Sequence, residues 1–347
     1  MEKGGSKMRS IVTGVAGFVG SHLAEELLHQ GHQVVGIDCF TPYYDAQLKW
    51  SNLGNLHRSP RFTFIEADLV GADLEALCVG AAYIFHQAAQ AGVRASWGTS
   101  FAEYTRHNVL ATQRLLEAAR TIRGLRKFVY ASSSSVYGNV PLPMVETVRP
   151  QPISPYGVTK LAAEHLCLLY HHAYAIPTIA LRYFTVYGPR QRPDMGFHKF
   201  IEAMRAGRDI TVYGDGMQTR DFTYVADIVR ANIGAAASDA TGEVYNIGGG
   251  SRVVLRTVFE LLERYLGMQA RLVYHATQRG DVDHTGADTS RAQAVLGYRP
   301  TVAVEEGLHA QVTWHTTVLH GLELSASASP KARSSTQLAT GRSLAAS

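Results

Sequence analysis

The stretch Ser10-Ile11-Val12-Thr13-Gly14-Val15-Ala16-Gly17-Phe18-Val19-Gly20 joins a short apolar run to glycines at every third position. The apolar run predicts a buried strand, and the residues after Gly20 have the apolar spacing of a helix that continues to about residue 30. Small residues at such a turn let the backbone approach a pyrophosphate, and the N–H groups and dipole of the following helix then favour the anion. This stretch therefore predicts the first strand-turn-helix unit of a dinucleotide-binding sheet.

Further apolar runs follow, separated by segments with helical periodicity. They are Val34-Val35-Gly36-Ile37-Asp38, Phe62-Thr63-Phe64-Ile65, Tyr83-Ile84-Phe85-His86 and Lys127-Phe128-Val129-Tyr130-Ala131. Helices are predicted at about residues 101–120 and 156–174. Continuous apolar strands that alternate with helices are typical of a parallel sheet covered on both faces. We therefore predict an α/β fold: a Rossmann-type doubly wound parallel sheet with a smaller C-terminal substrate-binding α/β domain.

The pattern changes along the chain and predicts a division into parts. Residues 8–186 carry the strand and helix alternation, whereas residues 187–315 contain shorter elements with many Gly and Pro residues. We assign the first range to a dinucleotide-binding Rossmann domain, to which some later segments return, and the second to substrate binding. The Ser/Ala/Thr-rich residues 321–347 lack periodicity and are predicted to be disordered.

Composition excludes several classes of protein. A chain of 347 residues with 46% hydrophobic and 18% charged residues is typical of a globular enzyme. The net charge of +4 is mild and the basic residues do not alternate with aromatic ones, so we expect no nucleic-acid partner. No apolar run has membrane-spanning length, so no membrane partner is expected. Cys39, Cys78 and Cys167 lack metal or disulfide spacing, and no His-x-x-x-His pair occurs. These features predict a cytoplasmic protein without a metal site.

Two carboxylates follow predicted strands at the expected cofactor edge. Asp38 ends the second run, where a carboxylate can accept both ribose hydroxyls of adenosine and repel a 2′-phosphate. No Arg follows it, so NAD is favoured over NADP. Asp68 follows the third run and is placed to meet the adenine, although a helix N-cap is an equal alternative.

Tyr156 and Lys160 lie four residues apart, and so on one face of a predicted helix. A nearby ammonium group favours the ionised form of a phenol and would lower its pKa. Ser132, Ser133, Ser134 and Ser135 come earlier, at the end of a predicted strand. We interpret Tyr156, Lys160 and Ser133 as catalytic, the alternative being two residues on a solvated helix face.

Several motifs together resemble the extended short-chain dehydrogenase/reductase family of nucleotide-sugar epimerases and dehydratases, over roughly residues 8–315. They are Thr13-Gly14-x-x-Gly17-Phe18-x-Gly20, Asp68-Leu69, His86-Gln87-Ala88-Ala89, Ser132-Ser133-Ser134-Ser135-Val136-Tyr137-Gly138 and Tyr156-x-x-x-Lys160. Residues 91–99, 182–195 and 214–224 resemble the UDP-glucuronic acid 4-epimerases within that family. Thr185 stands where UDP-glucose 4-epimerases typically carry Asn, which counts against that reaction.

The resemblance implies an NAD-dependent enzyme that interconverts UDP-glucuronic acid and UDP-galacturonic acid through a 4-keto sugar. Tyr156 would be the general base, with its pKa lowered by Lys160 and by the nicotinamide charge, and Ser133 would hydrogen-bond the same sugar oxygen. The residues implied to contact or support NAD are Gly14, Gly17, Phe18, Val19, Gly20, Asp38, Asp68, Leu69, Ala88, Ala89, Asn108, Ser132, Tyr156, Lys160 and Tyr183. For Asn108, an ordinary polar helix position is an alternative.

The resemblance also implies substrate contacts, at Arg94, Ser133, Ser134, Thr185, Arg192, Arg220 and Asp281. A guanidinium grips a carboxylate through two parallel hydrogen bonds, so Arg192 is proposed to hold the glucuronate carboxylate. Thr185 and Ser134 would assist it, and Arg94 is a second candidate for the same role. Arg220 resembles a UDP phosphate ligand and Asp281 a uridine-ribose ligand. For Arg192, a UDP phosphate contact or a domain-interface salt bridge stays open.

The serines discriminate among related reactions. Dehydratases of this family place Thr-Asp-Glu at Ser133, Ser134 and Ser135, and UDP-glucuronate decarboxylases place Glu at Ser135. Serine cannot supply acid and base groups at neutral pH, so both reactions are disfavoured. The alternatives that remain are a UDP-glucose or UDP-N-acetylhexosamine 4-epimerase, a less favoured UDP-glucuronate decarboxylase, and a redox-sensing module that binds NAD without turnover. The resemblance further implies a homodimer formed by the helices around residues 100–120 and 156–174.

Overall fold

The computed structural model describes residues 8–278, 280, 282, 284–319 and 321. Its strands are β1 (Arg9–Thr13), β2 (Gln33–Asp38), β3 (Phe62–Glu66), β4 (Tyr83–His86), β5 (Lys127–Ser133), β6 (Thr178–Tyr183), β7 (Val186–Tyr187), β8 (Ile210–Tyr213), β9 (Thr219–Asp221), β10 (Thr223–Tyr224), β11 (Glu243–Ile247), β12 (Arg252–Val254) and β13 (Leu272–His275). Residues 322–347, nearly all of the predicted tail, lie outside the described residues, as does Asp281.

The α-helices surround these strands. They are α1 (Phe18–His29), α2 (Ala46–Leu53), α3 (Leu74–Cys78), α4 (Phe101–Tyr104), α5 (Ala111–Thr121), α6 (Pro155–Tyr174), α7 (Gly196–Arg205), α8 (Val225–Ala237), α9 (Leu255–Leu266), α10 (Ser290–Leu296) and α11 (Val304–Trp314). A π-helical segment, Thr105–Leu110, joins α4 to α5, and a second, His315–Leu319, follows α11. The helix predicted at 101–120 is therefore present but contains a π-helical insertion.

Within the described residues, seven strands form one sheet in the order β11-β6-β5-β4-β1-β2-β3, and every neighbouring pair is parallel. Helices α1 and α8 pack on one face, and α3, α5 and α6 on the other. Strands β1, β2, β4, β5 and β6 are mostly buried on both sides, which explains their continuous apolar sequences, whereas the edge strand β3 is only partly buried. The predicted doubly wound sheet is confirmed. Strands β2 and β3 are added on one side of β1, and β4, β5 and β6 on the other, so the strand order switches between β1 and β4. Ligands bind at such switch points in open α/β sheets.

A smaller part of the molecule contains the short strand pairs β7–β10, β9–β12 and β8–β13, with helices α7, α9 and α11. Its core includes Phe197, Phe222, Leu262 and Leu308. Between these elements, α8 and β11 run back to the large sheet, and β11 pairs with β6 at its edge.

No helix in the described residues is long and apolar enough to cross a membrane. In the same part of the chain, no group of three or more His, Cys, Asp or Glu side chains is arranged to hold a metal ion. Cys39, Cys78 and Cys167 are free thiols.

Candidate active site

A cavity of about 440 Å³ lies at the carboxyl ends of the sheet strands, at the switch point between β1 and β4. We call it the strand-end cavity. The predicted site residues that line it are Gly14, Gly17, Phe18, Val19, Gly20, Asp38, Asp68, Leu69, Ala88, Ala89, Ser132, Ser133, Ser134, Tyr156, Lys160, Tyr183, Thr185 and Arg192. Each comes from the end of a strand or from the helix or loop that follows it.

The glycine turn after β1 fits a dinucleotide. Gly14 has a positive φ of 69°, and a Cβ there would lie 2.7 Å from the backbone nitrogen of Ala88, so only glycine fits. Helix α1 then begins at Phe18 without a side-chain cap and without an acidic residue in its first turn. Its first N–H groups therefore keep their capacity for an anion such as a pyrophosphate.

Asp38 lies at the end of β2 with its carboxylate fixed by the backbone. Its oxygens accept hydrogen bonds from the N–H groups of Ala16 (3.1 Å) and Phe40 (3.0 Å). Burial raises the pKa of this carboxyl, against the opposing effects of the Phe40 hydrogen bond and of the Lys49 charge. Lys49, whose Nζ donates to the Thr41 carbonyl at 2.6 Å, also lines the cavity. Lys49 was not predicted, because α2 follows a loop without a recognisable motif.

Asp68 faces the cavity and is held from two sides. It accepts a hydrogen bond from Val70 N (2.9 Å) and pairs with Arg106 (2.6 Å). Burial opposes ionisation, but these two hydrogen bonds hold the pKa of the carboxyl below its usual value. Asp73, not Asp68, caps helix α3. The alternative interpretation of Asp68 as a helix N-cap is therefore wrong.

The start of α6 brings Tyr156 to the serine turn. Ser154 caps the helix by accepting from Gly157 N at 3.1 Å, and Pro155 occupies the first turn. A Cβ on Gly157 would lie 2.4 Å from the Ser135 carbonyl oxygen, so glycine allows the helix to approach the turn. The Ser133 side chain lies close enough to the Tyr156 phenol to lower its pKa.

The electrostatics of Tyr156 differ from the sequence prediction. Burial raises the pKa of the phenol, and the effects that oppose this are the Ser133 hydrogen bond and the Arg192 charge, not Lys160. Lys160 is itself buried, which lowers its pKa to about 7, and its Nζ lies 4.4 Å from the centre of the Tyr130 ring. A lysine at that pKa is only partly charged at neutral pH. The predicted lowering of the Tyr156 pKa by Lys160 was therefore wrong for the protein without ligands.

Ser132 belongs to a buried ion pair beneath the serine turn. Its Oγ donates to Glu164 at 2.6 Å, and the same carboxylate receives two hydrogen bonds from Arg182, at 2.6 and 3.0 Å. Glu164 lies on α6 and Arg182 on β6, so the group fixes the end of β5 against both elements. Sequence analysis missed Glu164, although it lies one helical turn after Lys160.

Arg192 lies in the same cavity as Tyr156, in a fixed orientation. Its Nε and Nη2 donate to the two carboxylate oxygens of Asp194, at 2.9 and 3.0 Å. Tyr43 donates to Asp194 at 3.2 Å. The paired charges hold the pKa of Asp194 below its usual value, although burial opposes this. Neither Asp194 nor Tyr43 was predicted, because their partnership joins residues about 150 positions apart.

Asn108 does not line the cavity but lies behind it, in the π-helical segment. Its side-chain oxygen accepts from Gln90 N at 2.7 Å, and its nitrogen donates to Gln90 O and to Thr159 Oγ1, at 3.0 and 2.9 Å. The side chain thus fixes the segment after β4 that borders the cavity. The alternative of an ordinary polar helix position is wrong, because the residue is buried with all these contacts.

A second, larger cavity of about 1310 Å³ adjoins the first and is called here the outer cleft. Arg94 and Arg220 line it, and the aromatic ring of Tyr213 lies 4.1 Å from the Arg94 guanidinium carbon. Thr185 and Asp194 line both cavities, so a ligand can extend from one into the other. The basic residues Lys199 and Arg208 also line the cleft and were not predicted, since neither lies in a motif.

Comparison with known proteins agrees with this geometry. The family model described as "NAD dependent epimerase/dehydratase family" matches residues 10–248. A crystal structure of UDP-glucuronic acid 4-epimerase from Bacillus cereus, in complex with UDP-glucuronic acid and NAD, is 44% identical. It superposes with a TM-score of 0.87, and the match covers 89% of this chain and 99% of that one.

Two curated relatives match over most of the chain. The uncharacterized UDP-glucose epimerase YtcB from Bacillus subtilis is 44% identical, over 90% of this chain and 100% of its own length. The UDP-glucuronate 4-epimerase from Thermodesulfobacterium geofontis is 39% identical, over 88% of this chain and 95% of its own length.

Proposed function

Because the chain belongs to the NAD dependent epimerase/dehydratase family, we propose from its cavities that it is an NAD-dependent 4-epimerase interconverting UDP-glucuronic acid and UDP-galacturonic acid through a 4-keto sugar. The observation that carries the proposal is the placement of the Arg192 guanidinium in the same cavity as the Tyr156 phenol and Ser133. A reacting sugar beside Tyr156 would therefore meet a fixed cation, which suits a substrate that carries a carboxylate.

NAD fits the strand-end cavity. The N-terminus of α1 would face its pyrophosphate, Asp38 its adenosine ribose, and Asp68 and Leu69 its adenine. Phe18, Val19, Ala88, Ala89, Ser132 and Tyr183 also line the cavity. When bound, NAD accepts hydride from the sugar C4 and returns it. Asp38 disfavours the extra phosphate of NADP.

Tyr156 acts on the C4 hydroxyl of the sugar. We assign it the removal of the hydroxyl proton during oxidation and the return of that proton during reduction. Ser133, whose side chain lies beside the phenol, would stabilise the oxygen that loses its proton. The raised pKa of Tyr156 means that this base requires an added positive charge to work at neutral pH, which Lys160 in its protonated form and the bound nicotinamide would supply.

The UDP portion would occupy the outer cleft. Arg94 and Arg220 provide guanidinium groups there, and Lys199 and Arg208 add positive charge. Asp281 remains a predicted ligand of the uridine ribose. With UDP held in the cleft, the sugar ring can turn over between oxidation and reduction, and this inverts C4. Residues 8–186, completed by β11, would then serve NAD, and residues 187–315 the UDP-sugar.

The C6 carboxylate is assigned to Arg192, with Thr185 and Ser134 as hydroxyl donors. All three side chains line the strand-end cavity. Ser135, also there, stands where a decarboxylase of this family carries Glu. Retention of the carboxylate is therefore favoured over its loss.

The experiment that tests the function incubates the purified protein with UDP-glucuronic acid and, separately, with UDP-glucose, and identifies the products by proton NMR. We expect UDP-galacturonic acid from the first substrate and little conversion of the second. Conversion of UDP-glucose alone would make the protein a neutral-sugar epimerase, as the name of the Bacillus subtilis relative describes that protein. Formation of a pentose would identify a decarboxylase, and NAD binding without any turnover would identify a sensor module.

We further propose that the protein is a cytoplasmic homodimer. The three free thiols agree with a reducing compartment. Helices α5 and α6 pack side by side, and α6 exposes the apolar side chains of Val158 and Leu169. These two residues are three helical turns apart and so share one face, which a second copy would cover.

A further inference from the structure

Gln191, which precedes Arg192 in the chain, is buried and hydrogen-bonded through both ends of its side chain. Its Oε1 accepts from His198 N at 2.9 Å, and its Nε2 donates to Val186 O at 3.0 Å. Its own carbonyl accepts from His198 Nδ1 at 2.7 Å. The segment of residues 188–195, called here the Arg192 loop, is thereby tied to β7 and to helix α7.

Gln311 of α11 holds the same loop from a distant part of the chain. Its Nε2 donates to Gln191 Oε1 at 2.8 Å, and its Oε1 accepts from Gly188 N at 2.9 Å. The side chain is fully buried. One amide therefore fixes two points of the loop, Gly188 and Gln191, with the donors and acceptors of both glutamines matched.

The opposite side of the loop is anchored to α1, the helix of the glycine turn. Arg190 has a φ of +66°, in the left-handed region that a non-glycine residue rarely adopts. Its guanidinium pairs with Glu25 at 2.8 Å and donates to Ser21 at 3.3 Å. His22 contacts the Pro189 carbonyl at 3.0 Å. Strained backbone of this kind persists only where the surroundings hold it in place.

We propose that Gln191, Gln311 and Arg190 are positioning residues that set the direction of the Arg192 guanidinium and so decide whether the substrate keeps its carboxylate. The inference rests on the proposed function. In the 4-keto sugar, the C6 carboxylate is β to the C4 carbonyl. If the C5–C6 bond aligns with that carbonyl, the bond breaks, carbon dioxide leaves, the electron pair forms an enolate, and a proton from water adds at C5. The product of this loss is a UDP-4-keto-pentose.

A loop held at Gly188, Gln191 and Arg190 presents Arg192 in one orientation. Hydrogen bonds that depend on direction lose their effect when a group moves by about an ångström. Loss of the Gln311 amide leaves Gly188 N without its acceptor and removes one of the two hydrogen bonds to Gln191 Oε1, which allows the loop to shift. The carboxylate then reaches the aligned orientation more often, although no residue that touches the substrate has changed.

The test compares the holoenzyme with Gln311→Met, a replacement of similar length without hydrogen-bonding groups. Arg190→Gly is the second variant, because glycine tolerates the positive φ and removes only the anchor to α1. Leu262→Ala, in the core of the smaller part, is the control for general destabilisation. NMR with UDP-glucuronic acid measures the ratio of UDP-4-keto-pentose to UDP-galacturonic acid. Calorimetry measures affinities for UDP-glucuronic acid and for UDP, in a Tyr156→Phe background that prevents turnover.

We expect the decarboxylated fraction to rise roughly tenfold in Gln311→Met and Arg190→Gly, and UDP-glucuronic acid to bind more weakly while UDP affinity is unchanged. Leu262→Ala should lower the melting temperature and leave the product ratio as in the wild type. If the ratio of UDP-4-keto-pentose to UDP-galacturonic acid is unchanged in both Gln311→Met and Arg190→Gly, the inference is overturned while the proposed function stands. Wild-type protein that does not convert UDP-glucuronic acid overturns both. If Gln311→Met does not fold, Arg190→Gly alone decides the outcome.

Discussion

At the scale of single residues, the surroundings of Lys160 strongly oppose its charge. Burial lowers its pKa from 10.5 to about 7. Between these two pH values the unfolded chain holds a proton on this amine that the folded chain has lost. The free energy of unfolding should therefore rise with pH across this window, by about 1.4 kcal/mol per pH unit for this group. Below pH 7 both states are protonated and the cost of burying the charge is constant.

The variant Lys160→Met removes that cost, so it should melt at a higher temperature than the wild type at about pH 6. The difference between the two melting temperatures should become smaller towards about pH 9. Thermal unfolding without added cofactor measures this difference. Lys199→Met is the matched control, since Lys199 is exposed on α7 and its removal should give no such change with pH. If the difference in melting temperature between Lys160→Met and the wild type does not change with pH, the lowered pKa of Lys160 is contradicted. Epimerase activity should be lost in Lys160→Met at every pH.

Which residues could be predicted depends on how far apart their partners are in the chain. Gly14, Asp38, Tyr156 and Ser133 were identified because each belongs to a short motif beside a strand or helix. The Tyr43–Asp194 hydrogen bond, and the position of Lys160 over Tyr130, depend on tertiary packing. The sequence could show that Tyr156 and Lys160 share a helix face, but not that burial dominates the pKa of both.

At the scale of elements, the π-helical segment Thr105–Leu110 places Asn108 against the strand-end cavity. Asn108→Ala leaves the backbone groups of Gln90 and the Thr159 hydroxyl without their amide partner. We expect a loss of roughly 3 kcal/mol in the free energy of unfolding, because stranded buried polar groups are costly. The displaced segment after β4 should also weaken cofactor retention. Chemical unfolding and the NAD content after gel filtration measure the two effects.

The control for this prediction lies on the next helix. Gln113→Ala removes an amide that bonds Glu117 and Tyr170, away from Gln90. It should lose less stability and retain NAD as the wild type does. An Asn108→Ala protein that is destabilised yet retains NAD normally would limit Asn108 to a structural role.

Regular elements were predictable from periodicity, and insertions in them were not. The strands β1 to β5 and the helices α1 and α6 follow strong apolar patterns, so their positions agree with the sequence analysis. A π-helical insertion adds no residue type that distinguishes it from an α-helix, so the segment 105–110 was read as α-helical. Strands β7 to β13 are mostly short, and their pairing is set by contacts with distant segments.

At the scale of the whole molecule, the exposed apolar face of α6 tests the proposed homodimer. The double variant Val158→Glu and Leu169→Glu places two charges on that face, and burying unpaired charges is costly. Sedimentation should give a dimer for the wild type and a monomer for the variant. Val295→Glu, an equally exposed apolar position on α10, is the control and should remain dimeric. A wild type that is monomeric at all concentrations contradicts the proposal.

Strand β11 follows elements of the smaller part in the chain but pairs with β6 of the large sheet, so a single cut in the chain does not separate the two parts. Because β11 covers β6, a fragment that stops before the smaller part leaves β6 as an open edge of unpaired N–H and C=O groups. Such an edge recruits strands from other molecules, so this fragment would associate with itself and precipitate. A chimera that exchanges the smaller part between two relatives while keeping β11 with its own sheet therefore requires at least two crossover points rather than one.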